Sequence, residues 1–106
     1  MLSTEHAVFL KFALTGDGYG TEPERRAIYA LAHQLEEVLE AAGDGEVAGH
    51  EFGQGTAEVF LYGPDAGILL QAIRPVIRTA GLRPIEAVLR FGNVDDEGCR
   101  VDVVPL

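Results

Sequence analysis

Lysine is nearly absent from this 106-residue chain. Lys11 stands alone, seven arginines bring the basic total to 8, and 17 Asp and Glu leave a formal charge of −9. So acidic a chain is excluded as a general binder of DNA or RNA, because each phosphate contact needs a cation. Anionic membrane surfaces are excluded on the same ground. Cysteine is equally scarce. With Cys99 as its single thiol, the chain can form no internal disulfide, which fits a reducing compartment. Long apolar runs are missing as well. None approaches the roughly 20 residues that cross a bilayer, and Glu5, His6 and Lys11 interrupt the first apolar stretch where a signal peptide would need a continuous core. No linker, low-complexity segment or repeat of 20–50-residue period is visible. The expectation is a soluble cytoplasmic protein. What is present is a core: 47% of residues are hydrophobic, too many for a disordered chain. The length suits one domain spanning residues 1–106.

Periodicity orders the elements. In residues 6–14, Val8, Leu10, Phe12 and Leu14 alternate with Phe9, Lys11 and Ala13, the pattern of a strand. A glycine-rich loop, residues 16–20, follows. Thr21 with Glu24 three positions on is a capping box, and Pro23 is harmless in a first turn. Ile28, Leu31, Leu35, Val38, Leu39 and Ala42 then form a helical stripe that Gly43 should end. Two strands, 46–52 and 56–62, flank Gly53-Gln54-Gly55, where glycines would supply the positive φ of a tight hairpin. A second helix is expected to start with Pro64 at its first position, to bury Leu69, Ile73, Val76, Ile77 and Ala80, to kink near Gln71 because of Pro75, and to end at Gly81. Residues 84–91 form a strand with Ile85, Ala87, Leu89 and Phe91 inward. A polar turn, 93–98, leads to a last strand near 99–104. The order β-α-β-β-α-β plus one strand predicts an α+β fold, a ferredoxin-like two-layer sandwich with an extra C-terminal strand beside the fourth.

Two layers leave one sheet face without helices. Alternation assigns it Phe9, Lys11 and Ala13, then Glu58, Phe60 and Tyr62, then Glu86, Val88 and Arg90, with His50 and Phe52 from the second strand. Contiguous apolar groups on such a face mark an interaction site. Three readings compete: a homodimer packed through this face or an edge, a docking surface for another protein, and a face partly covered by the last strand or the termini. The homodimer is preferred. An aromatic sheet face also suits single-stranded RNA, but Glu58 among the rings and the overall charge argue against it. A second surface is the acidic first helix, where Glu36, Glu37 and Glu40 could meet a basic protein by steered association. Its bland alternative is pairing with arginines and simple solvation.

Motifs of chemistry are weak throughout. The loop at 16–20 lies where phosphate loops sit, but its spacing fits neither phosphate-binding motif and Asp17, Glu22 and Glu24 would repel a phosphate. His6, His33 and His50 show no metal-ligand spacing. Asp95-Asp96-Glu97-Gly98 lacks the alternation of a calcium loop and reads as a solvated turn. Cys99 has no histidine that the sequence places beside it. No catalytic residue, metal or cofactor is therefore assigned.

Taken together, Gly45-Glu46-Val47, Gly49, Glu51-Phe52-Gly53, Gly55, then Leu61-Tyr62-Gly63-Pro64-Asp65-Ala66 and Arg90-Phe91-Gly92 resemble a family of small bacterial proteins of unknown function, over residues 5–92. The resemblance implies no activity and carries over no functional residue. The preferred expectation is a non-enzymatic interaction protein, homodimeric or docking through its acidic face. The alternative is a small-molecule-binding or enzymatic module, whose site would gather His50, Tyr62, Glu58 and Arg90 in a concave pocket.

Overall fold

The alternation of the first strand and the capping box of the first helix both translate directly into geometry in the computed structural model, which describes residues 5–106. Seven elements follow in order: β1 (His6–Ala13), α1 (Glu22–Ala42), β2 (Glu46–Gly53), β3 (Thr56–Gly63), α2 (Ala66–Arg78), β4 (Glu86–Arg90) and β5 (Val101–Pro105). The strands form one five-stranded sheet in the order β2-β3-β1-β4-β5. Every neighbouring pair is antiparallel. The fold is α+β, and β5 pairs with β4 as the turn at 93–98 predicts.

Both helices pack on one sheet face. Val8, Leu10 and Phe12 of β1, Ala57, Val59 and Leu61 of β3, and Ala87 and Leu89 of β4 meet Ile28, Leu31, Leu35 and Leu39 of α1 and Leu69, Ile73 and Ile77 of α2 in one buried cluster. Burying each of the Val, Leu, Ile and Phe side chains contributes roughly 1.5–3 kcal/mol, which makes this cluster the main source of stability. No polar or charged residue is buried among the described residues.

Helix α1 starts as read. Thr21 accepts a hydrogen bond from the Glu24 backbone N–H at 3.3 Å, and the Glu24 carboxylate accepts one from the Thr21 N–H at 2.8 Å. The same carboxylate accepts from the backbone N–H and the hydroxyl of Thr15, both at 3.1 Å. These bonds, led by that from the Thr21 backbone, hold Glu24 below the usual glutamate range. A depressed folded-state value stabilises the fold above the unfolded value and loses that contribution as pH falls through the folded one. Thr21→Ala is therefore expected to cost about 1 kcal/mol at neutral pH. Glu24→Gln should make stability less sensitive to acid below about pH 4.3, the ordinary glutamate value. Urea unfolding of both variants at pH 7 and pH 4 checks this, and equal acid sensitivity in wild type and Glu24→Gln would contradict it.

Several details differ from the sequence pattern. Ala42 is exposed and Val38 only half-buried, because the stripe of α1 drifts off the core at its end. Pro64 lies outside α2: Asp65 is the cap, its carboxylate accepting from the Ile68 N–H at 3.0 Å, and the helix begins at Ala66. The helix contains Pro75, as the pattern has it, but ends at Arg78, short of Gly81. Leu70 is buried beside Leu69, and Ala80 and Val76 are only partly so. β4 is shorter than expected, leaving Ile85 52% exposed before it and Phe91 packed on the core margin after it. In the β2–β3 turn the positive φ values fall on Gln54 (54°) and Gly55 (80°), as a two-residue hairpin of mirror-image type requires, and not on Gly53.

Candidate functional site

The uncovered sheet face is built from cross-strand pairs, and the register arranges it as three rows. The middle row reads Phe60, Phe9, Val88, Val103 across β3, β1, β4 and β5. One flanking row reads Glu51, Glu58, Lys11, Glu86, Pro105. The other reads Glu46, Tyr62, Ala7, Arg90, Val101. The middle row is apolar from β3 to the sheet edge. Phe9, Phe60, Tyr62, Val88 and Arg90 are half-buried, while Val101 and Val103 are 54% and 60% exposed. The last strand therefore extends the face and does not cover it. The N-terminal part of the expectation that the termini cover it falls on residues 1–4, which lie outside the described residues.

The aromatics of this face lock one another in place. Phe9 meets Phe60 edge to face at 5.7 Å between centroids and Tyr62 at 6.4 Å. The Arg90 guanidinium sits 5.8 Å from the Phe9 ring centre and 5.9 Å from that of Tyr62. Its Nε donates to the Gly92 carbonyl at 2.8 Å, fixing the side chain along the sheet. The ring quadrupoles favour this cation. The face thus offers a stiff aromatic centre, one fixed cation and a carboxylate-rich margin around Lys11.

His50 and Phe52 are corrected: they lie on the helix-covered side. The β2–β3 register shifts between Val47 and Gly49, leaving Ala48 without a partner. That bulge inverts the alternation, so His50 pairs with Val59, whose side chain is core, and Gly49 and Glu51 turn to the open face. His50 and Phe52 instead stack against Tyr29 of α1, at 5.0 and 5.7 Å. The only signal for this in the sequence is glycine within a strand. The expected pocket of His50, Tyr62, Glu58 and Arg90 therefore does not assemble. A depression of about 430 Å³ at the hairpin end is lined by Tyr19, Glu51, Phe52, Gly53, Gln54, Thr56 and Glu58, and of the four expected residues it holds Glu58 alone.

The acidic helix face also divides. Glu36 and Glu40 line one notch with Gly45 and Glu46. Glu37 turns toward the groove between α1 and α2 with Gln34, Val38 and Pro75, and its carboxylate lies 3.0 Å from His33 Nε2. The other candidates have structural uses. The loop 16–20 is tied to the hairpin by the Gly55 N–H donating to the Gly18 carbonyl at 2.8 Å. His6 Nδ1 accepts from the Ala66 N–H at 3.0 Å, satisfying one orphan donor of α2. Asp96 N–H donates to the Asn93 carbonyl in the turn before β5. Among the described residues no group of three His, Cys, Asp or Glu could hold a metal ion, and no helix is long and apolar enough to cross a membrane.

Comparison with protein-family models finds no match, and neither the curated proteins nor the solved structures contain a matching relative.

Proposed function

We propose that this chain is a protein-interaction module on a ferredoxin-like two-layer sandwich, and that it works as a homodimer whose two open sheet faces pack together. The observation that carries this reading is the apolar row Phe60, Phe9, Val88, Val103, continuous in register and covered by no element among the described residues. Two aligned sheets pack about 10 Å apart through such rows. The resemblance to small bacterial proteins of unknown function belongs to the same proposal and adds no activity to it. A catalytic role is disfavoured, since His50 and Arg90 occupy opposite sheet faces.

Charge selects how two copies meet. A twofold axis along the strands sets Lys11 against Lys11 and Glu58 against Glu86. An axis across the strands, along the Phe9 row, exchanges the two flanking rows. Glu86 of one copy then faces Arg90 of the other, twice per dimer, and Glu58 faces Tyr62. The one repulsion left, Glu51 against Glu46, falls at the solvent edge where salt screens it. The second arrangement is the one proposed. Arg90→Glu or Glu86→Arg alone should weaken the dimer roughly tenfold or more, about 1.4 kcal/mol per tenfold. The double exchange should recover most of the loss, because it rebuilds the pair with its signs swapped. Dissociation constants from sedimentation give the test. Additive losses in the double variant would contradict the crossed arrangement.

A further inference from the structure

We propose that Arg74, Arg78 and Arg83 form a binding site for the phosphoryl group of a small molecule, on the helix-covered side of the protein. The three line a single depression of about 100 Å³ with Ile77 and Leu106. Arg74 and Arg78 are one turn apart on α2, and Arg83 enters from the connection to β4.

The seven arginines of this chain fall into two groups. Arg25 donates to the Gly20 carbonyl at 2.6 Å, Arg26 to Glu22 at 2.6 Å, Arg90 to the Gly92 carbonyl, and Arg100 to both oxygens of Asp102 at 3.1 and 2.6 Å. Arg74, Arg78 and Arg83 have no hydrogen-bond acceptor and no carboxylate within 4.0 Å among the described residues. In a chain with 17 acidic residues against 8 basic ones, a pairing carboxylate is the easiest feature to supply. Among the described residues only Arg26 and Arg100 have one, and what sets Arg74, Arg78 and Arg83 apart is that three guanidinium groups with no acceptor of any kind share one depression. Their spacing is also locally unfavourable, since like charges at i,i+4 on a helix cost roughly 0.2–0.5 kcal/mol. Arg78, in the last turn, offsets part of that through the helix dipole. Arg74 lies a turn earlier and Arg83 beyond the helix, so the dipole explains neither.

Planar guanidinium forks match oxyanions bidentately, and three of them around one small basin favour a multiply charged tetrahedral group over a single carboxylate. The surrounding field of a −9 chain repels long polyanions, so the ligand is a small phosphorylated molecule and not a nucleic acid. The site lies across the molecule from the open sheet face. It neither needs the dimer nor contributes to it.

The test is a ¹⁵N-resolved NMR titration of the full chain with inorganic phosphate, with a simple phosphomonoester, and with chloride at matched ionic strength. Phosphate is expected to shift the amides of Arg74 and of residues 76–83 saturably, and chloride is not. A phosphomonoester binding tighter than phosphate identifies an esterified ligand; the reverse identifies the free ion. Arg74→Gln and Arg83→Gln, both at the surface, should each weaken binding at least tenfold and leave the spectrum of the core unchanged. Shifts no larger than those with chloride, or binding that survives both substitutions, would overturn the proposal.

Discussion

Alanine in place of Gly45 is expected to cost the fold about 3–5 kcal/mol. Two costs combine. Gly45 has φ of 152°, where a side chain brings strain of roughly 1–3 kcal/mol. Its added Cβ would also run into the Tyr62 carbonyl and approach Leu69 Cδ1 to 3.1 Å, an overpacking that costs a further 1–3 kcal/mol or so. The contact is mutual, since a Cβ on Gly63 would strike the Asp44 carbonyl. The chain leaving α1 and the end of β3 therefore cross with room for hydrogen atoms only. A domain of this size has roughly 5–15 kcal/mol to lose. Denaturant midpoints measure the effect. Gly53→Ala is the control, because its Cβ meets nothing within 4 Å, and it should stay within about 0.5 kcal/mol of wild type. A Gly45→Ala protein as stable as that control would contradict the close crossing.

Phe9→Asp is expected to abolish association and leave a folded monomer. Phe9 lies at the centre of the proposed interface, paired with Phe60 on one side and Val88 on the other. In the dimer its carboxylate would be enclosed between two apolar rows without a partner, a cost of several kcal/mol. At 1.4 kcal/mol per tenfold, a weakening on the order of 1,000-fold follows. In the monomer the same carboxylate faces water, and Phe9 belongs to no part of the buried core cluster, so thermal unfolding should remain cooperative. Val94→Asp, at a site 81% exposed in the loop before β5, should change neither property. Association of Phe9→Asp equal to that of wild type would remove the open face from the account.

The parts of this molecule visible in the sequence are those governed by one local rule at a time. Val8, Leu10 and Phe12 alternate because a strand has period two, and they are fully buried. Thr21 and Glu24 satisfy each other's backbone donors within one turn, so their capping box needed no tertiary context. The side of the sheet that His50 takes is not legible this way, because a bulge at one residue, Ala48, inverts every side chain after it, and a period-two pattern contains no mark of where its phase breaks. Proline suits a first turn, so the sequence places the helix start at Pro64, but the Asp65 carboxylate provides the capping bond that decides the boundary. Glu36 and Glu37 are neighbours in sequence but about 100° apart on a helix, so one lines an acidic notch and the other meets His33. The convergence of Arg83 with Arg74 and Arg78 depends on how the α2–β4 connection folds back, which no local spacing encodes.

The open sheet face is proposed as the interface between two copies of this chain. Sedimentation equilibrium of the wild-type protein tests it most directly. A homodimer packed through this face gives a concentration-dependent mass that rises to twice the 11.4 kDa of the chain and falls back to the monomer value in Phe9→Asp. A mass that stays at 11.4 kDa at the highest concentration reached would contradict it.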